Sequence, residues 1–117
     1  MATEGSNAAA LRVLSLRFEA RHSGQRRRFA VRMMLSEGRL WLLVKDASRA
    51  IGWQSNTLKM YRWTTLDPDD WAYTLVQTKQ GPQMMALIAR EALSSLLSTA
   101  RKPQARQFKR WLDGLPG

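Results

Sequence analysis

LWLLVKDASRAIGWQSNTLKMYRW, residues 40–63, is the stretch around which the rest of the chain is organised. Residues 40–44 form an apolar run of five with Trp41 in second place, short and bounded like a buried strand rather than a helix. Asp46 stands where the run stops and is a good N-cap, because its carboxylate can accept from the free amides of a first helical turn. Ala47, Ala50 and Ile51 follow at helical spacing, so a short helix is expected to begin at Ala47. Gly52 suits the left-handed conformation that ends a helix. Ser55 or Asn56 can then cap a second helix through Thr57, Leu58, Lys59, Met60, Tyr61 and Arg62.

Helix, glycine turn and helix is the outline of a helix-turn-helix, whose second helix enters the major groove and touches base edges with its early residues. Ile51, Leu58 and Tyr61 are expected to hold the two helices together, with Asn56, Thr57, Lys59 and Arg62 outward. The outward set suits DNA: Asn pairs with adenine, Thr reaches a base or a thymine methyl, and Lys or Arg reaches guanine or phosphate. A plain helical corner with a solvated face has the same spacing, and both readings stand at this point.

The length, 117 residues, fits one domain, with residues 1–10 expected to be a flexible tail and 11–117 the folded unit. Net charge is +10, from 19 Lys and Arg against 9 Asp and Glu, the footprint of a chain that neutralises phosphates. An anionic membrane surface or an acidic protein would satisfy the same excess. No apolar run approaches the roughly 18 residues a membrane span needs, and the first ten residues lack a signal-peptide pattern, so the cytosol or nucleoplasm is the expected compartment. Zero cysteines exclude disulfides, thiolate metal sites and a cysteine nucleophile.

Along the chain, residues 11–19 fit a helix through Leu11, Leu14 and Phe18, or a strand through Leu14, Leu16 and Phe18. After the turn signal His22-Ser23-Gly24-Gln25, Phe29, Val31, Met33 and Leu35 alternate with Ala30, Arg32 and Met34, the most strand-like segment of all. Ser36-Glu37-Gly38-Arg39 connects it to the apolar run in an antiparallel hairpin. Arg26, Arg27 and Arg28, at the entrance to this strand, can clasp a phosphate or simply be solvated. Asp67, Pro68, Asp69 and Asp70 read as a cap and a single helical turn; dipole complementation explains these acids without a metal.

Residues 73–78 and 84–88 read as a second hairpin. Ala92, Leu93, Leu96, Leu97 and Ala100 then form the stripe of a packed helix. Pro103 opens a last helix buried through Ala105, Phe108, Trp111 and Leu112. Its other side carries Arg106, Lys109 and Arg110, which with Arg101 and Lys102 make five cations along one edge, a phosphate-binding stripe or a solvated face. The expected fold class is α+β: a small antiparallel sheet of hairpins, a helix-turn-helix-like corner and two C-terminal helices.

Two separated stretches resemble one family. LWLLVKDASRAIGW, residues 40–53, and EALSSLLSTARKPQARQFKRWLDGLP, residues 91–116, look like the Bro-N domain of baculovirus Bro proteins and phage or prophage antirepressors. Trp41, Val44, Lys45, Asp46, Ala47, Ile51, Gly52 and Trp53 stand at the family's strand-and-corner places. Arg101, Lys102, Pro103, Ala105, Phe108, Lys109, Arg110 and Trp111 stand at those of its closing motif. The resemblance extends over about residues 14–116 and implies a strand for residues 11–19. It also implies DNA binding in a transcriptional or lysogeny-control role, and a bacterial cytoplasm if phage or prophage encoded. Family members commonly continue into a second domain, and the family's acidic spacer is replaced here by residues 66–71 with an extra tryptophan.

A hydrolase needs clustered carboxylates, a histidine pair or an activated nucleophile, and His22 is the only histidine. The Gly-x-x-x-x-Gly-Lys phosphate loop is absent as well. The expectation is therefore a protein without catalysis, cofactor or metal, whose partner is double-stranded DNA. In that role Asn56, Thr57, Lys59 and Arg62 would read bases, while Arg26, Arg27, Arg28, Lys45, Arg101, Lys102, Arg106, Lys109 and Arg110 would hold phosphates. A protein-binding antirepressor module that neutralises an acidic repressor or host factor is the competing reading, with single-strand stacking on Trp53 or Trp63 a third. A homodimer is left open.

Overall fold

Strand β1 (Val13–His22) turns at Ser23 and Gly24 into β2 (Gln25–Ser36), which turns at Glu37 and Gly38 into β3 (Arg39–Leu43). Both turns hold two consecutive residues at positive φ, the hairpin geometry whose twist matches that of the flanking strands. Helix α1 (Val44–Ile51) and helix α2 (Thr57–Thr64) follow, then a single 3-10 turn, Pro68–Asp70. The chain continues through β4 (Trp71–Thr78), β5 (Gly81–Ala89), α3 (Arg90–Leu97) and α4 (Pro103–Asp113). This computed structural model describes residues 13–54 and 56–116. The expected flexible tail at 1–10 and the possible cap Ser55 lie outside the described residues.

The sheet order is β1-β2-β3-β5-β4, with every neighbouring pair antiparallel. The α+β class is as expected, and residues 13–19 are strand. One face of the sheet meets α1, α3 and α4 in a continuous core. Phe18, Val31, Met33, Leu42 and Ile88 come from strands; Ala47, Ile51, Leu93, Phe108 and Leu112 come from helices. Phe108 sits edge-on to Phe18 at 5.0 Å and 82°, with Trp111 5.5 Å from the same ring. Truncating Phe108 to alanine would cost about 3–5 kcal/mol, as for other buried aromatics. A smaller cluster, Met34, Leu43, Val76 and Leu87, is buried on the opposite face under Trp41 and Met85. Met34 thus belongs to this second cluster, while Leu35, expected inward, is exposed.

Asp46 departs from expectation. The strand ends at Leu43, the helix already includes Val44, and Leu43 is the N-cap residue, without a side-chain cap bond. Asp46 is 3% exposed, and its Oδ2 accepts from the Arg32 backbone amide at 2.9 Å and from Arg32 Nε at 2.8 Å. Arg32 Nη2 donates to the other oxygen at 3.0 Å. Where β3 leaves the sheet, this carboxylate takes up the ladder amide that β2 would otherwise leave unpaired. The bond to Asp46, ahead of the cost of desolvation, raises the Arg32 pKa above its already high ordinary value. By contrast Asp67 does cap the 3-10 turn, accepting from the Asp69 amide at 2.9 Å.

Candidate nucleic-acid interface

The helical corner exists, but it is set into the fold rather than raised above it. In α1, Val44, Asp46, Ala47, Ser48, Ala50 and Ile51 are all buried, which leaves Lys45 and Arg49 as its exposed side chains. Gly52 ends α1 at φ +88 and donates to the Ser48 and Arg49 carbonyls. The Gln104 side chain of α4 covers this turn, donating to the Ala50 carbonyl at 2.6 Å. As expected, Ile51 and Leu58 are fully buried, and Tyr61 lies half-buried 5.9 Å from the Trp53 ring.

Helix α2 buries Leu58 alone. Asn56 is its N-cap by position, without a side-chain cap bond, and with Lys59 is exposed, while Thr57 is half-buried. Arg62 does not face outward as expected. One turn beyond Leu58, it lies over the rings of Trp63 at 4.3 Å, Tyr73 at 5.6 Å and Trp71 at 5.9 Å. Two large apolar side chains of α2 are instead exposed, Trp63 at 76% and Met60 at 63%, as are Tyr73, Leu75 and Met84 on the second hairpin. Among the four expected base readers, Asn56, Thr57 and Lys59 remain accessible, and Arg62 is a packing residue.

The strongest concentration of cations lies elsewhere. Phe18, Ala20, Phe29 and Val31 face the helices, so the alternate positions of the β1–β2 ribbon face away from them. Those positions hold Arg17, Arg21, Arg26, Arg28 and Arg32, with Arg21 directly across from Arg26 and Glu19 across from Arg28. Glu19 is the only carboxylate between residues 13 and 36. Arg21 lies 3.3 Å, Arg28 3.5 Å and Arg26 4.0 Å from it. Desolvation, which pushes the Glu19 carboxyl up, is outweighed by these three guanidiniums, and its pKa falls below the ordinary value. One carboxylate cannot neutralise three arginines. On the same side, Arg32, Lys45 and Lys79 border an open hollow of about 570 Å³ with Gln80 and Gln83.

The expected triple of Arg26, Arg27 and Arg28 is therefore split. Arg27 points to the helix side, over the Phe29 ring at 5.5 Å, and shares a cleft of about 270 Å³ with His22, Lys102 and Gln104. On α4, Arg106 and Arg110 are exposed, as are Arg101 and Lys102 just before it, whereas Lys109 is held by Asp113 at 2.6 Å. Lys109 first and Ser94 second lower the Asp113 pKa. The nine expected phosphate contacts thus occupy two sides of the sheet. Arg17 and Arg21 were missed; the signal for them was the spacing of two that Arg17, Glu19 and Arg21 share, visible once residues 13–22 are read as a strand.

No protein-family model, curated protein or solved structure matches this chain. Among the described residues, no helix is long and apolar enough to cross a membrane. Nor, among them, do three or more His, Asp or Glu side chains gather as a metal would require.

Proposed function

We propose that this chain is a non-catalytic DNA-binding protein that contacts duplex DNA through the outer face of the β1–β2 ribbon. The single observation that carries the reading is the row of Arg17, Arg21, Arg26 and Arg28 on one face of a two-stranded antiparallel ribbon, opposed by Glu19 alone. A ribbon of this kind fits a major groove about 12 Å wide, and guanidinium groups match phosphates and guanine edges. Arg32 is tied to Asp46 and supports the ribbon instead. The resemblance to Bro-N domains supports a role in transcriptional control, as a regulator or antirepressor in a bacterial cytoplasm.

Binding through these four arginines would make affinity fall by roughly 3–4 log units per log unit of salt, at about 0.9 per neutralised phosphate. In fluorescence-anisotropy titrations, the double variant Arg26→Ala with Arg28→Ala should flatten that slope by about 2. Lys59→Ala, in α2, should leave the slope nearly as it was. If Lys59→Ala costs as much as the ribbon pair, the corner holds the DNA and the ribbon assignment is wrong.

The second reading, a protein-binding module, is favoured by the apolar side chains of Met60, Trp63, Tyr73, Leu75 and Met84, each more than half exposed. Retention of a repressor after nuclease treatment, and its loss in Trp63→Ala with the ribbon arginines intact, would favour that reading over DNA contact.

A further inference from the structure

Among the described residues, strand β1 is an edge of the sheet, and its outer side is unequally finished. At Arg21, Gln107 of α4 occupies the edge: the Arg21 amide donates to Gln107 Oε1 at 2.8 Å, and Gln107 Nε2 donates to the Arg21 carbonyl at 2.6 Å. Backbone groups of an antiparallel strand point to alternate sides, and the β1–β2 register runs unbroken from Val13 to His22. Val13, Ser15, Arg17 and Glu19 therefore present their amides and carbonyls to the same outer side as Arg21. Over this stretch the edge is also apolar, with Val13 at 39%, Leu14 at 49% and Leu16 at 39% exposure, and Leu35 beside them at 55%. A long edge without proline or bulge is a template for pairing with another strand.

We infer that two copies of this chain pair along β1, antiparallel, about a twofold axis at Leu16. The register follows from charge and from the closed end. With the axis at Leu16, the outward groups of Ser15 meet those of Arg17, and those of Val13 meet those of Glu19. Leu16 faces itself and Leu14 faces Phe18, so no two like charges are opposed. Moving the axis to Arg17 sets that cation against its own copy and brings Ser15 onto Arg17's second neighbour Glu19. Among the described residues, moving it to Ser15 pairs only residues 13–17, whereas at Leu16 the pairing runs from Val13 to Glu19, just short of the Gln107 clasp. The two sheets become one, and both arginine faces lie on the same side of it. The dimer does not depend on DNA being the ligand.

The test uses the full chain freed of nucleic acid. Light scattering behind a sizing column should give about twice the 13.4 kDa of one chain at tens of micromolar. Ser15→Pro removes an outward amide and spares the β1–β2 ladder, so it should yield a monomer with an unchanged circular dichroism spectrum. The chain has no cysteine, so a new thiol is unique. Leu16→Cys should form an intermolecular disulfide on mild oxidation, because facing Cα atoms at a non-hydrogen-bonded position lie about 4.5 Å apart. Leu14→Cys should not, since the two thiols would be roughly 13 Å apart along the strands. A wild-type monomer, a dimer unaffected by Ser15→Pro, or cross-linking through residue 14 rather than 16 overturns the inference.

Discussion

Replacing Asp46 tests most directly how the strand-to-helix junction is held. Its carboxylate, 3% exposed, accepts the Arg32 amide and two guanidinium bonds at 2.8–3.0 Å. In Asp46→Ala the part-buried Arg32 amide is left without its partner, at a cost of up to about 1–3 kcal/mol. Losing the ion pair adds less than the roughly 3–5 kcal/mol of a fully buried pair, because water reaches part of the Arg32 side chain, which is 28% exposed. Together these come to about 3 kcal/mol, a large share of the roughly 5–15 kcal/mol of a typical domain, and a drop in Tm of about 12 °C.

Asp46→Asn keeps an acceptor for the amide but not the charge, and should cost about 1–2 kcal/mol. The contrast with a capping role is sharp, since asparagine caps helices as well as aspartate and would then be neutral. Urea unfolding with an unchanged m-value measures both, and a double-mutant cycle with Arg32→Met should give a coupling of about 1 kcal/mol or more. An Asp46→Asn variant as stable as wild type, or additivity with Arg32→Met within about 0.5 kcal/mol, would refute this account.

Gly52→Ala should lose about 1–2 kcal/mol in the same assay, because φ +88 strains any side chain and the new Cβ would sit 3.4 Å from Gln104. Ser48→Ala should be neutral or stabilising by up to about 1 kcal/mol, since the buried Ser48 hydroxyl has no hydrogen-bond partner among the described residues. Asp113 has its pKa lowered by Lys109 and then Ser94, so its contribution is present above the unfolded value near pH 4 and is lost as pH falls through the folded one. The stability gap between wild type and Asp113→Asn, under about 1 kcal/mol for so exposed a pair, should therefore be seen at pH 7 and close as pH falls below the usual carboxylate range. Trp63→Ala should leave Tm nearly unchanged, because the ring is 76% exposed, and a fall of more than about 1 kcal/mol in stability would show that it packs.

Much of the architecture was legible because local signals agreed. The spacing of two in Phe29, Val31 and Met33, the turn pairs Ser23-Gly24 and Glu37-Gly38, and the stripes of α3 and α4 each named their element. Asp46 misled because an aspartate after an apolar run suits a cap and a partner in a distant strand equally well. Arg62 misled because helical spacing says which residues share a face, and cannot say that β4 brings Trp71 and Tyr73 under that face.

The sequence by itself determined the charge excess, the hairpins, the helices and the alternation along each strand, all of which follow from short-range backbone geometry. Only the tertiary structure decided which of the two alternating faces is solvent, because that depends on where α1, α3 and α4, remote in the chain, settle on the sheet. Their apolar stripes cover the Phe18 and Val31 side, and this docking leaves Arg17, Arg21, Arg26 and Arg28 together on the bare side while sending Arg27 to the other.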